Sequence, residues 1–134
     1  MGLRLSIVTP ARPLIDADVE QVVAPGSEGE FGVLPGHAAL LVSLQPGVVR
    51  WIESGRARRA AISGGFAEVT QERVTVLAPT AELPEQIDPA EAERRRTDAA
   101  AALSNTGSLS PPEEVEKLRD AVLRAQARVD ALRG

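Results

Sequence analysis

Residues 25–41 read PGSEGEFGVLPGHAALL, and the rest of the chain is best understood outward from them. Four glycines, two prolines, two glutamates and the only histidine fall within these seventeen positions. Gly and Pro are the strongest punctuators of local structure, so the stretch is expected to be a built turn and not a flexible spacer. Phe31, Val33, Leu34 and the run Leu40, Leu41, Val42 are expected to pin it to a core. Glu28 and Glu30 are then left to face outward. An ordered loop with an apolar anchor and a polar tip is a common way to present a contact surface.

On either side the pattern is that of short strands. Leu3, Leu5 and Ile7 alternate with Arg4 and Ser6, as a half-buried strand requires. Residues 19–24, 39–44, 48–52, 60–63, 66–69 and 74–78 are further strand candidates. Turn signals separate them: Pro10 and Pro13, Pro25-Gly26, Pro35-Gly36, Pro46-Gly47, Ser54-Gly55, Gly64-Gly65 and Gln71-Glu72. Such spacing predicts an all-β sandwich or barrel.

The character changes near residue 84, where glycine gives way to alanine, arginine and glutamate. Asp88-Pro89-Ala90-Glu91 reads as a helix start, with Asp88 as cap and Glu91 closing a capping box. This helix is expected to end near Leu103, stopped by residues 104–107. Ser110-Pro111-Pro112-Glu113 repeats the start, with Ser110 as cap. In the second helix Val115, Leu118, Val122, Ala125, Val129 and Leu132 make one apolar stripe. In the first, Ala92, Ala99 and Leu103 make an alanine-rich face. An antiparallel two-helix hairpin follows. The expected organisation is a β domain over 1–84 and an αα-hairpin over 85–134. The hairpin's small side chains contribute about 1 kcal/mol each on burial. Ordering about 45 residues opposes that, so the hairpin is expected to be only marginally held.

Composition narrows the function. The chain of 134 residues is 43% hydrophobic but 2% aromatic, so its core must be built from Val, Ile, Leu and Ala. A formal net charge of −4 argues against nucleic acid as a partner. The absence of cysteine excludes disulfides and thiolate metal sites, and a single histidine argues against a histidine-built one. No metal and no cofactor are expected. No run approaches the roughly 18 apolar residues of a membrane span, and the N-terminus lacks the apolar core of a secretory signal. A soluble intracellular protein, peripheral to something larger, is the expectation.

GSEGEFGVLPGHAALL, the later QPGVVR, the turn Ser63-Gly64-Gly65-Phe66, and VTVLAPTAE running into the helical pair together resemble the epsilon subunit of bacterial F-type ATP synthases, whose mitochondrial counterpart is called delta. The resemblance spans essentially the whole chain in order. It implies an all-β N-terminal sandwich of about ten strands followed by a C-terminal two-helix hairpin. It implies a non-catalytic subunit at the foot of the central stalk, bound to the gamma subunit and resting on the ring of c subunits. That place is on the cytoplasmic side of the bacterial inner membrane, with the membrane touched only indirectly. It further implies a hairpin that is permissive when folded against the sandwich. Extended along gamma, it contacts the alpha and beta subunits and inhibits ATP hydrolysis. Two arrangements a few kcal/mol apart are what such a switch requires.

The resemblance also assigns roles. Glu30, with Glu28 and Ser27 beside it, faces the c ring, and His37 lies near the gamma-facing surface. The residues alone leave Glu28 and Glu30 as solvated turn carboxylates and Ser27 as a turn cap. His37 could serve as a catalytic base, ligand or turn residue, but no nucleophile constellation is readable around it. The glycine-rich loop is no phosphate cradle, because the sole lysine of the chain is the distant Lys117. Some members of the family bind ATP at the hairpin through Ile or Leu, Asp, two variable residues, Arg and Ala. Here the segment is Ile87-Asp88-Pro89-Ala90-Glu91-Ala92, with Glu91 in the arginine position. A carboxylate there repels phosphate, with Arg94, Arg95 and Arg96 available to compensate only in part, so weak or absent nucleotide binding is expected, and Asp88, Arg124 and Arg128 would serve it only if it occurred. Lys117, Arg119, Arg124, Arg128 and Arg133 give the second helix a basic side. It is either a solvated mixed face or, with Lys117, Arg124 and Arg128, an inhibitory docking face for the catalytic subunits. A free-standing β-sandwich adaptor and a small Ser/His37 hydrolase are the competing readings.

Overall fold

Leu3, Leu5 and Ile7 do form one face of a strand, β1 (Leu3–Val8), and all three are fully buried. In the computed structural model, which describes residues 2–134, seven more strands follow. They are β2 (Pro13–Val19), β3 (Gln21–Gly26), β4 (Gly29–Val33), β5 (Leu40–Glu53), β6 (Arg56–Val69), β7 (Arg73–Leu77) and the short β8 (Ala81–Glu82). A single 3-10 turn, Pro84–Gln86, leads to α1 (Pro89–Ser104) and α2 (Pro112–Arg133). The strands pair in the order β2-β1-β7-β6-β5-β3-β4, with β8 added to β6. Among the described residues only the β1–β7 pair is parallel.

Four predicted strands merge into two. β5 and β6 are each fourteen residues long and pair from Leu40↔Val69 to Glu53↔Arg56. Pro46-Gly47 and Gly64-Gly65, expected to be turns, are bends inside these strands. The pairing skips Gln45 and Gly64 at that point, and the parity facing the main core changes across it, from Val42 and Leu44 to Val49 and Trp51 and from Ala60 and Ile62 to Ala67 and Val69. Gly64 and Gly65 take φ of 107° and 119°, a region that disfavours any side chain. A Cβ on Gly65 would also run into the Leu77 carbonyl. Merging brings the count to eight strands instead of about ten. β2 and β4 had no strand signal of their own. β2 opens with Pro13, which an edge strand tolerates in its first position. β4 hides inside the glycine-rich stretch.

The main core lies between the layers. Trp51, Leu3, Leu5, Ile7, Val22, Val33, Val49, Val69, Val74 and Val76 are all essentially inaccessible. One part of the expected anchor fails. Phe31 and Val42 pack against this core and Val33 enters it. Leu34, Leu40 and Leu41 remain 60%, 44% and 72% exposed.

A second, smaller cluster docks the hairpin. Val48 and Ala61 are cross-strand partners on the outer face of β5 and β6. Their neighbours Val49, Ala60 and Ile62 point into the main core. Ile87, Ala92, Ala127, Val129 and Ala131 cover them, with Leu132 at the margin. Ala125 and Val129 lie on the predicted stripe and are buried; Val115, Leu118 and Val122 are half-buried. Ala127 and Ala131 lie off the stripe yet are buried as well, because α2 is packed on two sides, by α1 and by the sandwich.

The helix starts match in part. The Asp88 carboxylate accepts from the Ala90 and Glu91 amides at 3.0 and 3.3 Å. Glu91 does not close the box and pairs with arginines instead. Ser110 does not cap α2; its hydroxyl accepts from the Gly107 amide at 3.0 Å, and α2 begins one turn residue later behind Pro111.

Candidate functional site

The glycine-rich stretch is a tight hairpin. Gly26 pairs with Gly29, leaving Ser27 and Glu28 at the tip, and Gly29 supplies a φ of 132°. The tip is fastened to β5. The Ser27 amide donates to the Ser43 carbonyl at 2.9 Å, and the two hydroxyls lie 3.1 Å apart. Ser27, Glu28, Gly29 and Glu30 are exposed above buried Pro25 and Gly26. Among the described residues neither glutamate has an ion-pair partner. The stapled tip thus presents two carboxylates to solvent in a fixed place.

Beside the tip runs an apolar stripe. Ser43 faces Phe66 across β5 and β6, and Phe66 faces Leu77 across β6 and β7. Leu41 is the diagonal neighbour of Phe66 on the same side. Phe66 is 55% and Leu77 51% exposed. Phe66 was legible in sequence as strand but not as surface. Its parity opposes that of buried Ala67 and Val69, and that alternation was the available signal. Contiguous exposed apolar side chains on a soluble face mark an interaction site.

His37 sits in the turn after β4. Its amide donates to the Leu34 carbonyl at 3.2 Å, and Nδ1 donates to the Ala38 carbonyl at 2.7 Å. The neighbouring Gly36 amide ties this turn to the Gln71 carbonyl at 2.8 Å. These bonds tie the ring into its own turn.

The hairpin's basic residues separate into two environments. Lys117 and Arg124 are exposed, Arg124 being paired with Asp120 one turn away. Arg128 is drawn inward, 2.7 Å from Glu82 and 3.1 Å from Glu91. Its guanidinium pKa is raised, chiefly by the hydrogen bond to Glu82 and against the cost of burial. Arg124, Arg128, Glu82 and Glu91 edge a cleft of about 930 Å³ between the hairpin and β6, with Arg94, Arg95 and Asp98 on its α1 wall. Glu82 escaped sequence reading, because nothing local marks a two-residue strand. Among the described residues no group of three or more His, Cys, Asp or Glu could hold a metal. Among the described residues no helix is long and apolar enough to cross a membrane.

Residues 2–84 match the family described as ATP synthase, Delta/Epsilon chain, beta-sandwich domain. The chain belongs to that family. It is 42% identical over 130 residues to the ATP synthase epsilon chain of Granulibacter bethesdensis, covering 96% of both. It is 40% identical over 129 residues to that of Herpetosiphon aurantiacus, covering 96% of this chain and 93% of the relative. Among solved structures, a chain of the Euglena gracilis mitochondrial ATP synthase, in a structure described as OSCP/F1/c-ring, superposes with a TM-score of 0.79. That match has 23% identity and covers 99% of this chain and 82% of the other. A chain of the Tetrahymena thermophila mitochondrial ATP synthase, described as central stalk/c-ring, gives 0.61 at 13% identity and covers 98% and 97%. The last two show the fold.

Proposed function

We propose that this chain is a rotor-stalk subunit of an F-type ATP synthase with no active site of its own. Its sandwich, residues 1–84, grips the gamma subunit through the stripe Leu41, Phe66, Leu77. The hairpin tip with Ser27, Glu28 and Glu30 meets the polar loops of the c ring, and His37 shapes the turn at the margin of the gamma contact. Torque then passes from ring to shaft without slip. The hairpin, residues 85–134, gates ATP hydrolysis. Folded it is permissive; extended it places Lys117, Arg124 and Arg128 on an acidic segment of the catalytic subunits. The subunit is peripheral, on the cytoplasmic face of the membrane.

One observation carries this reading: the bare apolar stripe lies next to the stapled acidic tip, on the outer face that the hairpin leaves open. A surface apolar at its centre and polar at its edge is the anatomy of a protein–protein contact. The epsilon-chain relatives, and structural neighbours from assemblies described as F1/c-ring and central stalk/c-ring, support a place in the stalk beside the c ring. Co-expression with gamma tests it. A stable co-purifying pair is expected, and a chain that elutes alone would favour a free-standing adaptor.

A further inference from the structure

Three elements meet at one guanidinium. Arg128 of α2 donates Nε to Glu82 Oε1 at 2.7 Å and Nη2 to Glu82 Oε2 at 3.3 Å, a two-pronged contact with β8. The same Nη2 reaches Glu91 Oε1 of α1 at 3.1 Å. The Arg128 side chain is 19% exposed, so water screens these contacts less than it does the surface pairs elsewhere on the helices. Apart from this contact, α2 is held to the sandwich by the small cluster in which four of seven buried side chains are alanine. The Arg59 guanidinium adds a bond to the Ala131 carbonyl.

The Glu91 carboxylate is spent on Arg128 and, at 3.8 Å, on Arg95. Asp88 is committed to the α1 cap. Arg128 is therefore neutralised by the chain's own carboxylates, while of the other arginines on this cleft Arg95 lies 3.8 Å from Glu91 and Arg124 is paired with Asp120. A fixed internal carboxylate supplies the negative charge that a ligand would otherwise bring to Arg128.

We propose that Glu82–Arg128–Glu91 is an ionic latch that holds the hairpin on the sandwich without any bound ligand. Arg128 exchanges these two carboxylates for those of the catalytic subunits when the hairpin extends. The latch rests on the gating reading above and adds to it. Arg128 has competing partners in the two arrangements, so release responds to salt and to the acidity of the competitor, and not to nucleotide.

The absence of cysteine allows two spin labels to be placed freely, at Arg12→Cys on the sandwich and Arg119→Cys on α2. Pulsed dipolar spectroscopy on the full chain then reads the separated population. Glu82→Gln with Glu91→Gln is expected to raise that population about fivefold, the size of a partly exposed ion-pair contribution. In the unsubstituted chain, salt raised from about 0.05 to about 0.5 M should move it in the same direction. Millimolar ATP should leave it unchanged. Reconstituted into the complex, the double variant keeps Arg128 and is expected to inhibit hydrolysis more strongly, while Arg128→Gln separates but inhibits less. A separated population indifferent to both the double substitution and salt would overturn the latch, as would ATP drawing the hairpin closed. A raised population with unchanged hydrolysis upholds the latch and overturns the gating reading beneath it.

Discussion

At the scale of single residues, charge placement divides into holding and presenting. Arg4 Nε donates to Asp16 at 2.8 Å and Nη1 to Asp18 at 3.1 Å, joining β1 to β2. Ser6 donates to Asp16 at 3.2 Å and accepts from Arg73 at 2.8 Å, extending the ladder to β7. The Arg4 bond holds the Asp16 carboxyl below its ordinary value. A depressed aspartate stabilises the fold at pH above its unfolded value of about 3.9, and that stability is lost as pH falls through the folded value. Asp16→Asn should therefore flatten the acid limb of a plot of urea midpoint against pH while leaving its shape near neutrality. Glu30 belongs to the other kind: it is exposed and holds nothing together. Glu30→Lys should change folding stability by less than about 0.5 kcal/mol. It should still lower proton-driven ATP synthesis in reconstituted vesicles, and unchanged synthesis would remove Glu30 from the c-ring contact.

At the scale of elements, what sequence could show depended on whether the cause was local. The Asp88 cap, the helix limits near Leu103 and the alternation in β1 all arise within a few residues, and all were legible. Asp88→Ala should weaken the first turn of α1 by about 1 kcal/mol, read as faster amide exchange at Ala90 and Glu91. The Gly64-Gly65 bend was legible as punctuation but not as a bend. Deciding between a turn and a fold-over requires knowing that β5 bends opposite it at Gln45. Gly65→Ala should destabilise the sandwich by about 2 kcal/mol or more. It adds backbone strain at positive φ to a clash with the Leu77 carbonyl, and a thermal melt would show it. Ser110 misled for the opposite reason: its hydroxyl found a nearer amide, Gly107, before α2 began. Leu34, Leu40 and Leu41 were apolar and so were expected inside, yet hydrophobicity does not say whether the covering surface belongs to this chain or to another.

At the scale of the molecule, the sandwich has two outer faces with different fates. One is covered by the hairpin through Val48 and Ala61. The other keeps Leu41, Phe66 and Leu77 in water, beside a tip locked in place by Ser27 and Ser43. That asymmetry is what the proposed function asks for, one face for a shaft and the other for a movable brake. It was the part least visible in sequence, because it is a property of three strands brought side by side. The most direct measurement is the affinity of the full chain for isolated gamma subunit by titration calorimetry, with and without Phe66→Glu. A buried aromatic anchor replaced by a charge costs at least about 2 kcal/mol, so the dissociation constant should rise by about thirtyfold or more while the thermal midpoint of the variant holds. Equal affinity for the two chains, or no binding of gamma by the unsubstituted one, would contradict the account.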